Sequence, residues 1–284
     1  MELALAARLR QHPELIPAAF RAVRCFSNWP QPVLAGMEAA AEVWRFDKGE
    51  VVAERGDPAK GLWVIAAGSL TAHRAAPNGK YYLQGVLWPG FMIGLMPILD
   101  GWEMPLSHVA RCDSLVVFVP RAALLDALND AGCLRDICML MCQRTRSDYE
   151  AMFMGAVESL SCRVAKILAF LPRRAVFPAD GPLGNLVWLD PAPIDLTQDE
   201  IAAMVGVARQ TLNRALQPFL QDGTVVRDGE AIRVVNFRKL LPYMEENEPL
   251  HELWRNEILS WDERIKKGDP RTVKAQGSLR DVHP

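Results

Sequence analysis

Residues 195–220 read Asp-Leu-Thr-Gln-Asp-Glu-Ile-Ala-Ala-Met-Val-Gly-Val-Ala-Arg-Gln-Thr-Leu-Asn-Arg-Ala-Leu-Gln-Pro-Phe-Leu, and no other stretch constrains the fold as tightly. Thr197 with Glu200 three residues on is a capping box, which starts a helix. Ile201, Ala202 and Val205 give that helix a face to bury. Gly206 falls where the helix must stop and the chain must turn sharply, at a positive φ that glycine takes without steric cost. A second helix starts near Ala208, and Leu212, Ala215, Leu216, Phe219 and Leu220 recur on one side of it. The other side carries Arg209, Gln210, Asn213 and Arg214, with no carboxylate among them. Arg pairs with guanine O6 and N7, and Gln or Asn with adenine N6 and N7. The expectation is a helix-turn-helix whose second helix enters a DNA major groove.

The next residues extend the motif. Asp222-Gly223 marks a turn, Thr224–Arg227 a short strand, Asp228-Gly229 a hairpin turn and Ala231–Val235 the return strand. That hairpin is the wing of a winged helix-turn-helix. The order Thr-Gln-x-Glu-Ile-Ala-x-x-Val-Gly, then Arg-x-Thr-Leu-x-Arg, then Asp-Gly resembles the DNA-binding domain of the cyclic-AMP receptor/Fnr (Crp/Fnr) family of bacterial regulators. The resemblance implies that Arg209, Gln210 and Arg214 read bases. Thr197, Gln198, Thr211 and Asn213 would position the DNA backbone or supplement the readout. In the best-known relatives a Glu follows the first of these arginines and suits a cytosine amino group. Gln210 favours adenine, so the preferred half-site should differ.

The net charge of −2 is not that of a generally basic DNA binder. Across 195–244 the basic and acidic residues balance, so affinity must come from local placement on the second helix and from doubling it in a dimer. Half of the 284 residues are hydrophobic, enough for a sizeable core. The apolar start is broken by Arg8 and Arg10, so no signal peptide is expected. No apolar run approaches a membrane span. These features point to a cytoplasmic protein with reduced thiols and no membrane partner.

From Val43 the pattern changes to short strands punctuated by glycine, after a segment over 1–41 that reads as helical with breaks at Pro13, Pro17, Pro30 and Pro32. Val51–Ala53, Leu62–Ile65, Leu70–His73, Tyr81–Leu87, Val109–Arg111 and Leu115–Val119 read as strands, with a hairpin turn at Pro77–Lys80. Such a set implies a barrel or sandwich. The frame Lys-Gly-Glu, Gly-Asp, Leu-Trp-Val-Ile, Gly-Ser-Leu, Pro-Gly and Ile-Gly is similar to the cyclic-nucleotide-binding jelly roll of the same family. The resemblance spans about residues 42–244.

Family members that bind cyclic nucleotides carry a Gly-Glu pair after the Pro-Gly turn, and Arg followed by Ser or Thr about ten residues later. Here Gly94 matches, the Glu position is Leu95, and the Arg position falls at Pro105 or Met104. No basic residue lies between Lys80 and Arg111, so a cyclic phosphate there would lose its water without a charged partner. Cyclic AMP and cyclic GMP are therefore not expected to bind in the family mode. The candidate effector pocket is an apolar loop that includes Gly94, Leu95, Met96, Met104, Pro105 and Leu106. Two readings stay open for it: a filled pocket, or an apolar or aromatic effector or haem. His73 and His108 are the barrel's imidazoles and so the candidate iron ligands.

The chain has six cysteines. Cys133, Cys138 and Cys142 lie on an expected long helix, with Cys162 beyond it. The N-terminus has only Cys25, so the closely spaced cysteines of iron–sulfur relatives are missing. Two readings remain, packing at a helix interface or a thiol switch across a dimer axis. On that helix Leu134, Ile137, Cys138, Met141, Thr145, Tyr149, Met152 and Ala156 form a stripe that suits a two-helix seam between subunits. The alternative is one helix covering its own barrel.

The expected fold class is α+β, with a jelly-roll barrel, a dimerisation helix and a winged helix-turn-helix. The expected organisation is a helical segment over 1–41, an effector barrel over 42–130, the dimer helix over 131–157, the winged domain over 158–244 and an extension over 245–284. Residues 173–184 read as a hinge, Leu186–Leu189 as a strand and Leu250–Lys267 as a possible tail helix. The function implied is a homodimeric transcription regulator that reads a palindromic operator in double-stranded DNA, with RNA polymerase as a partner by resemblance and an unidentified small-molecule effector. The alternatives are a haem- or thiol-based gas or redox sensor of the same fold and, more remotely, a cupin-like metal enzyme. The cupin would need several His with a carboxylate on adjacent strands, and the barrel has no His-x-His.

Overall fold

The computed structural model describes residues 8–9, 15–77, 81–170, 174–175, 188–189, 196–229 and 231–245. They fall into two compact units, one built from the chain up to Thr145 and the other from Arg146 onward.

The first unit is a jelly-roll sandwich of two antiparallel sheets. The strands are β1 (Arg8–Leu9), β2 (Glu42–Phe46), β3 (Val51–Ala53), β4 (Gly61–Ala67), β5 (Leu70–Ala75), β6 (Tyr81–Leu87), β7 (Met92–Ile93), β8 (Ser107–Ala110) and β9 (Ser114–Pro120). One sheet runs β1-β2-β9-β4-β7 and the other β3-β8-β5-β6. The helices of this part are α1 (Leu15–Ala22), α2 (Gln31–Ala40), α3 (Leu95–Asp100), α4 (Arg121–Ala127) and the start of α5 (Ala131–Val157).

Strand β4 shows why its sequence is apolar throughout rather than alternating. Trp63 and Ile65 point into the sandwich, with Trp44, Phe46, Leu70 and Val116. Leu62 and Val64 point the other way, into a second core with Phe20, Phe26, Met37 and Leu124 from the helices. A strand buried on both faces has no polar side to show. Trp44 meets Trp63 edge-on with ring centroids 5.4 Å apart, a geometry that adds to the burial of their area.

Two readings of local structure change here. A helical segment broken at prolines was expected over 1–41, but Arg8–Leu9 is a strand paired with Trp44 and Val43 of β2. Pro17 lies inside α1 instead of breaking it, within the first turn where backbone N–H groups have no helical partner anyway. The apolar loop after Gly94 is also partly regular: β7 pairs with β4, and α3 follows. Gly94 makes the junction, at φ 90 as the N-cap of α3. A Cβ there would stand 2.8 Å from the Gly61 carbonyl oxygen, so a side chain is excluded twice over. Most of the expected Pro77–Lys80 turn lies outside the described residues.

Helix α5 covers the span expected for a dimer helix, with Asp130 accepting from the Gly132 and Cys133 amides at its start. Those bonds hold the Asp130 carboxyl below its usual range. The stripe read from the sequence divides. Ile137 is buried in its own barrel's core, with Met141 partly buried against it. Leu134, Cys138, Thr145, Tyr149, Met152 and Ala156 are exposed, and Cys142 joins them.

The second unit contains α6 (Leu160–Phe170), α7 (Gln198–Val205), α8 (Arg209–Gln221) and α9 (Leu241–Met244), with β12 (Val225–Asp228) and β13 (Ala231–Val234). A pair of short strands, β10 (Arg174–Ala175) and β11 (Trp188–Leu189), also belongs to it. Val164, Ala165 and Leu168 of α6 are fully buried, and α6 packs on α7, α8 and α9. The expected hinge over 173–184, apart from 174–175, and the tail helix over 250–267 lie outside the described residues.

Candidate DNA interface and effector cavity

The capping box forms as the sequence requires. Thr197 Oγ1 accepts from the Glu200 amide at 3.2 Å, and the Thr197 amide donates to Glu200 Oε2 at 2.8 Å. Helix α7 ends at Gly206 in the left-handed conformation, φ 72 and ψ 33. Arg163 on α6 donates to the Val205 carbonyl at 3.0 Å. That places a cation at the negative end of the α7 dipole.

Helix α8 buries Leu212, Leu216 and Phe219 beneath it. This fixes which side remains outside. Arg209, Gln210 and Arg214 are exposed, while Thr211 and Asn213 are half-buried. Asn213 Oδ1 is buried without a hydrogen-bond partner. Gln198, expected to touch the DNA backbone, is only 7% exposed, and the Thr197 hydroxyl is engaged in the cap. Of the seven residues named from the sequence, the three assigned to bases are the three fully presented.

One neighbour had not been singled out. Asp199 Oδ2 accepts from Arg209 Nη1 at 2.9 Å, with both side chains more than half exposed. An exposed pair of this kind contributes about 0.2–1 kcal/mol, so a guanine or phosphate can take the guanidinium over. The wing is a two-residue hairpin with Asp228 opposite Ala231. The Ile232 amide donates to the Leu196 carbonyl at 3.2 Å, which ties the wing to the start of α7.

The barrel unit holds a cavity of about 410 Å³. The amide of Gly56 donates to the Met104 carbonyl at 2.9 Å, and the Met104 amide donates to the Asp57 carbonyl at 2.8 Å. These bonds hold the turn after β3 against the loop after α3. Met96, Pro97, Met104 and Pro105 supply apolar lining, and Trp102, 78% exposed, stands at its edge. Of the predicted pocket residues, Met96, Met104 and Pro105 line the cavity. Gly94, Leu95 and Leu106 do not, and Leu95 is a core residue at 1% exposure.

The expectation of an uncharged pocket is corrected. Arg55 and Arg74 line the cavity with Asp100 and Glu103. Arg55 lies in the turn after β3 and Arg74 near the end of β5, both outside the 81–110 segment, so the spacing within that segment does not signal them. His73 and His108 are not among the lining residues. Burial pushes the His108 imidazole down to about 4, with a smaller effect from His73. Among the described residues no group of three or more His, Cys, Asp or Glu is placed to hold a metal ion. No helix among them is long and apolar enough to cross a membrane.

Comparison with known proteins agrees with both units. The cyclic nucleotide-binding domain family matches residues 43–131, and the Crp-like helix-turn-helix domain family matches residues 162–243. The chain is 27% identical over 196 residues to the CRP-like cAMP-activated global transcriptional regulator of Mycobacterium tuberculosis, covering 69% of this chain and 84% of that protein. It is 23% identical over 194 residues to the transcriptional activator protein FnrA of Stutzerimonas stutzeri, covering 66% and 75%. The fold matches FixK2 from Bradyrhizobium japonicum with a TM-score of 0.59 and 20% identity, over 70% of this chain and 95% of that one. With a nucleotide-binding-type jelly roll, a long helix and a winged reading domain in this order, the chain belongs to the Crp/Fnr family of DNA-binding transcription regulators.

Proposed function

We propose that the chain acts in the cytoplasm as a homodimer that reads a palindromic operator and is tuned by an effector other than cyclic AMP or cyclic GMP. The observation that carries the DNA reading is α8, which presents Arg209, Gln210 and Arg214 together over a buried Leu212–Leu216–Phe219 face. Two such helices about one DNA turn apart would read the half-sites. RNA polymerase is the partner through which a regulator of this kind acts on a promoter. Arg209→Ala is expected to cost ~1–3 kcal/mol of operator affinity and to relax one base position. Gel-shift titrations on the operator and on single-base variants check this. Equal loss on every sequence would make Arg209 a phosphate contact.

The effector reading rests on the cavity. Leu95, packed in the core, stands where the family's ribose-binding Glu would be, which supports the loss of that contact. Arg55 and Arg74, set beside Asp100 and Glu103 and the apolar walls, suit a small acidic molecule with an apolar or aromatic body and no ribose to hold. Calorimetric titration should show no heat with cyclic AMP, whereas binding of aromatic carboxylates should be lost in Arg74→Ala. Micromolar binding of cyclic AMP would sink this reading.

A further inference from the structure

We infer that Cys138 and Cys142 form an oxidisable thiol site on the self-association seam, where two copies of one of these cysteines join as an inter-subunit disulfide. The inference rests on the homodimer proposed above. One side of the first half of α5 is committed to its own barrel through Cys133, Ile137, Leu140 and Met141. A second, exposed side carries Cys138, Cys142, Thr145, Tyr149, Met152 and Ala156. Their spacings alternate four and three, so Cys138, Thr145 and Met152 form one seven-residue series and Cys142, Tyr149 and Ala156 the other. That alternation is the seam pattern of a two-stranded coiled coil.

This face leaves large apolar side chains uncovered. Tyr149 is 65% exposed and Met152 69%, with Met139 and Phe153 exposed beside the seam. A second copy of the same helix is the occupant that the heptad spacing fits. In a parallel pair each seam layer sets a residue against its own copy. Cys138 and Cys142 of one chain cannot bond each other. Cβ atoms four residues apart on a helix are about 5–6 Å from one another. A disulfide needs about 3.5–4.5 Å.

The other cysteines differ. Cys25, Cys133 and Cys162 are buried, and burial pushes the Cys25 and Cys133 thiols up to about 12 and about 11. Such thiols form little of the reactive thiolate. Cys112 is exposed but lies in the turn between β8 and β9, off the seam.

The oxidant is a hydroperoxide. A thiolate sulfur attacks one peroxide oxygen, the O–O bond breaks, and a sulfenic acid and water or an alcohol are released. The thiolate of the other subunit then attacks that sulfur, the S–S bond forms and hydroxide leaves as water. Two thiols are oxidised by two electrons and one peroxide is reduced.

The test treats the reduced full-length protein with hydrogen peroxide and follows it by non-reducing electrophoresis, with light scattering on the untreated sample. A species of twice the 31.6 kDa chain should appear and revert with dithiothreitol. It should be lost in the Cys138→Ser/Cys142→Ser double variant and retained in Cys112→Ser. A reduced dimer that forms no covalent species, or a covalent species that survives in the double variant, overturns the thiol site alone. A reduced protein that scatters as a monomer overturns the homodimer as well.

Discussion

Phe219→Ala should strongly destabilise the DNA-reading unit and weaken operator binding, although Phe219 is buried away from any DNA-facing surface. Its ring is fully buried and lies tilted against Tyr243 with centroids 4.6 Å apart. It packs under the face of α8 that also carries Leu212 and Leu216. Removing a buried Phe side chain costs ~3–5 kcal/mol, from lost burial and the cavity left behind. A domain of this size has ~5–15 kcal/mol in all. The loss therefore exceeds the ~1–3 kcal/mol assigned to one base-reading arginine. Urea unfolding should show a large drop in midpoint for Phe219→Ala and little change for exposed Gln217→Ala. An unchanged midpoint in the first variant would show that α8 is not anchored through this ring.

The second large effect is a loss of barrel stability in acid. His108 is 7% exposed on β8, between β3 and β5, and its imidazole is held neutral down to about 4. Burial is the main cause, and His73 adds to it. His73 is itself pushed down by burial, against the opposing pull of Glu54. In the unfolded chain a histidine titrates near the ordinary value of 6.5. Between these two values the unfolded chain takes a proton that the folded barrel refuses. The stability from neutral His108 is complete above pH 6.5 and lost as pH falls toward 4. The integrated loss is on the order of 3 kcal/mol. Unfolding free energy measured across that window should fall, and His108→Leu should flatten the slope. A wild-type slope retained in His108→Leu would assign the acid sensitivity to carboxylates.

The reading unit was legible because its signals are local. Thr197, Glu200 and Gly206 cap and end α7 within a few residues of one another, and the buried face of α8 follows one period. Strands such as Val51–Ala53 and Tyr81–Leu87 were equally legible, since they are bounded by their own turns, whereas Arg8–Leu9 and Met92–Ile93 were not. The cavity was not, because it joins Arg55, Arg74 and the 96–105 segment across strands that pair only in the fold. Periodicity also could not divide the α5 stripe. Ile137 and Cys138 are neighbours in sequence, and only packing shows that one faces the barrel and the other solvent.

Selection of bound duplexes from a random-sequence library, at fixed salt, tests the central claim most directly. The account predicts enrichment of a two-fold palindrome with half-sites about one helical turn apart. One position in each half-site should lose its preference when the selection is repeated with Arg209→Ala. Salt-sensitive binding with no sequence enriched, or an enriched site unchanged by Arg209→Ala, would contradict it.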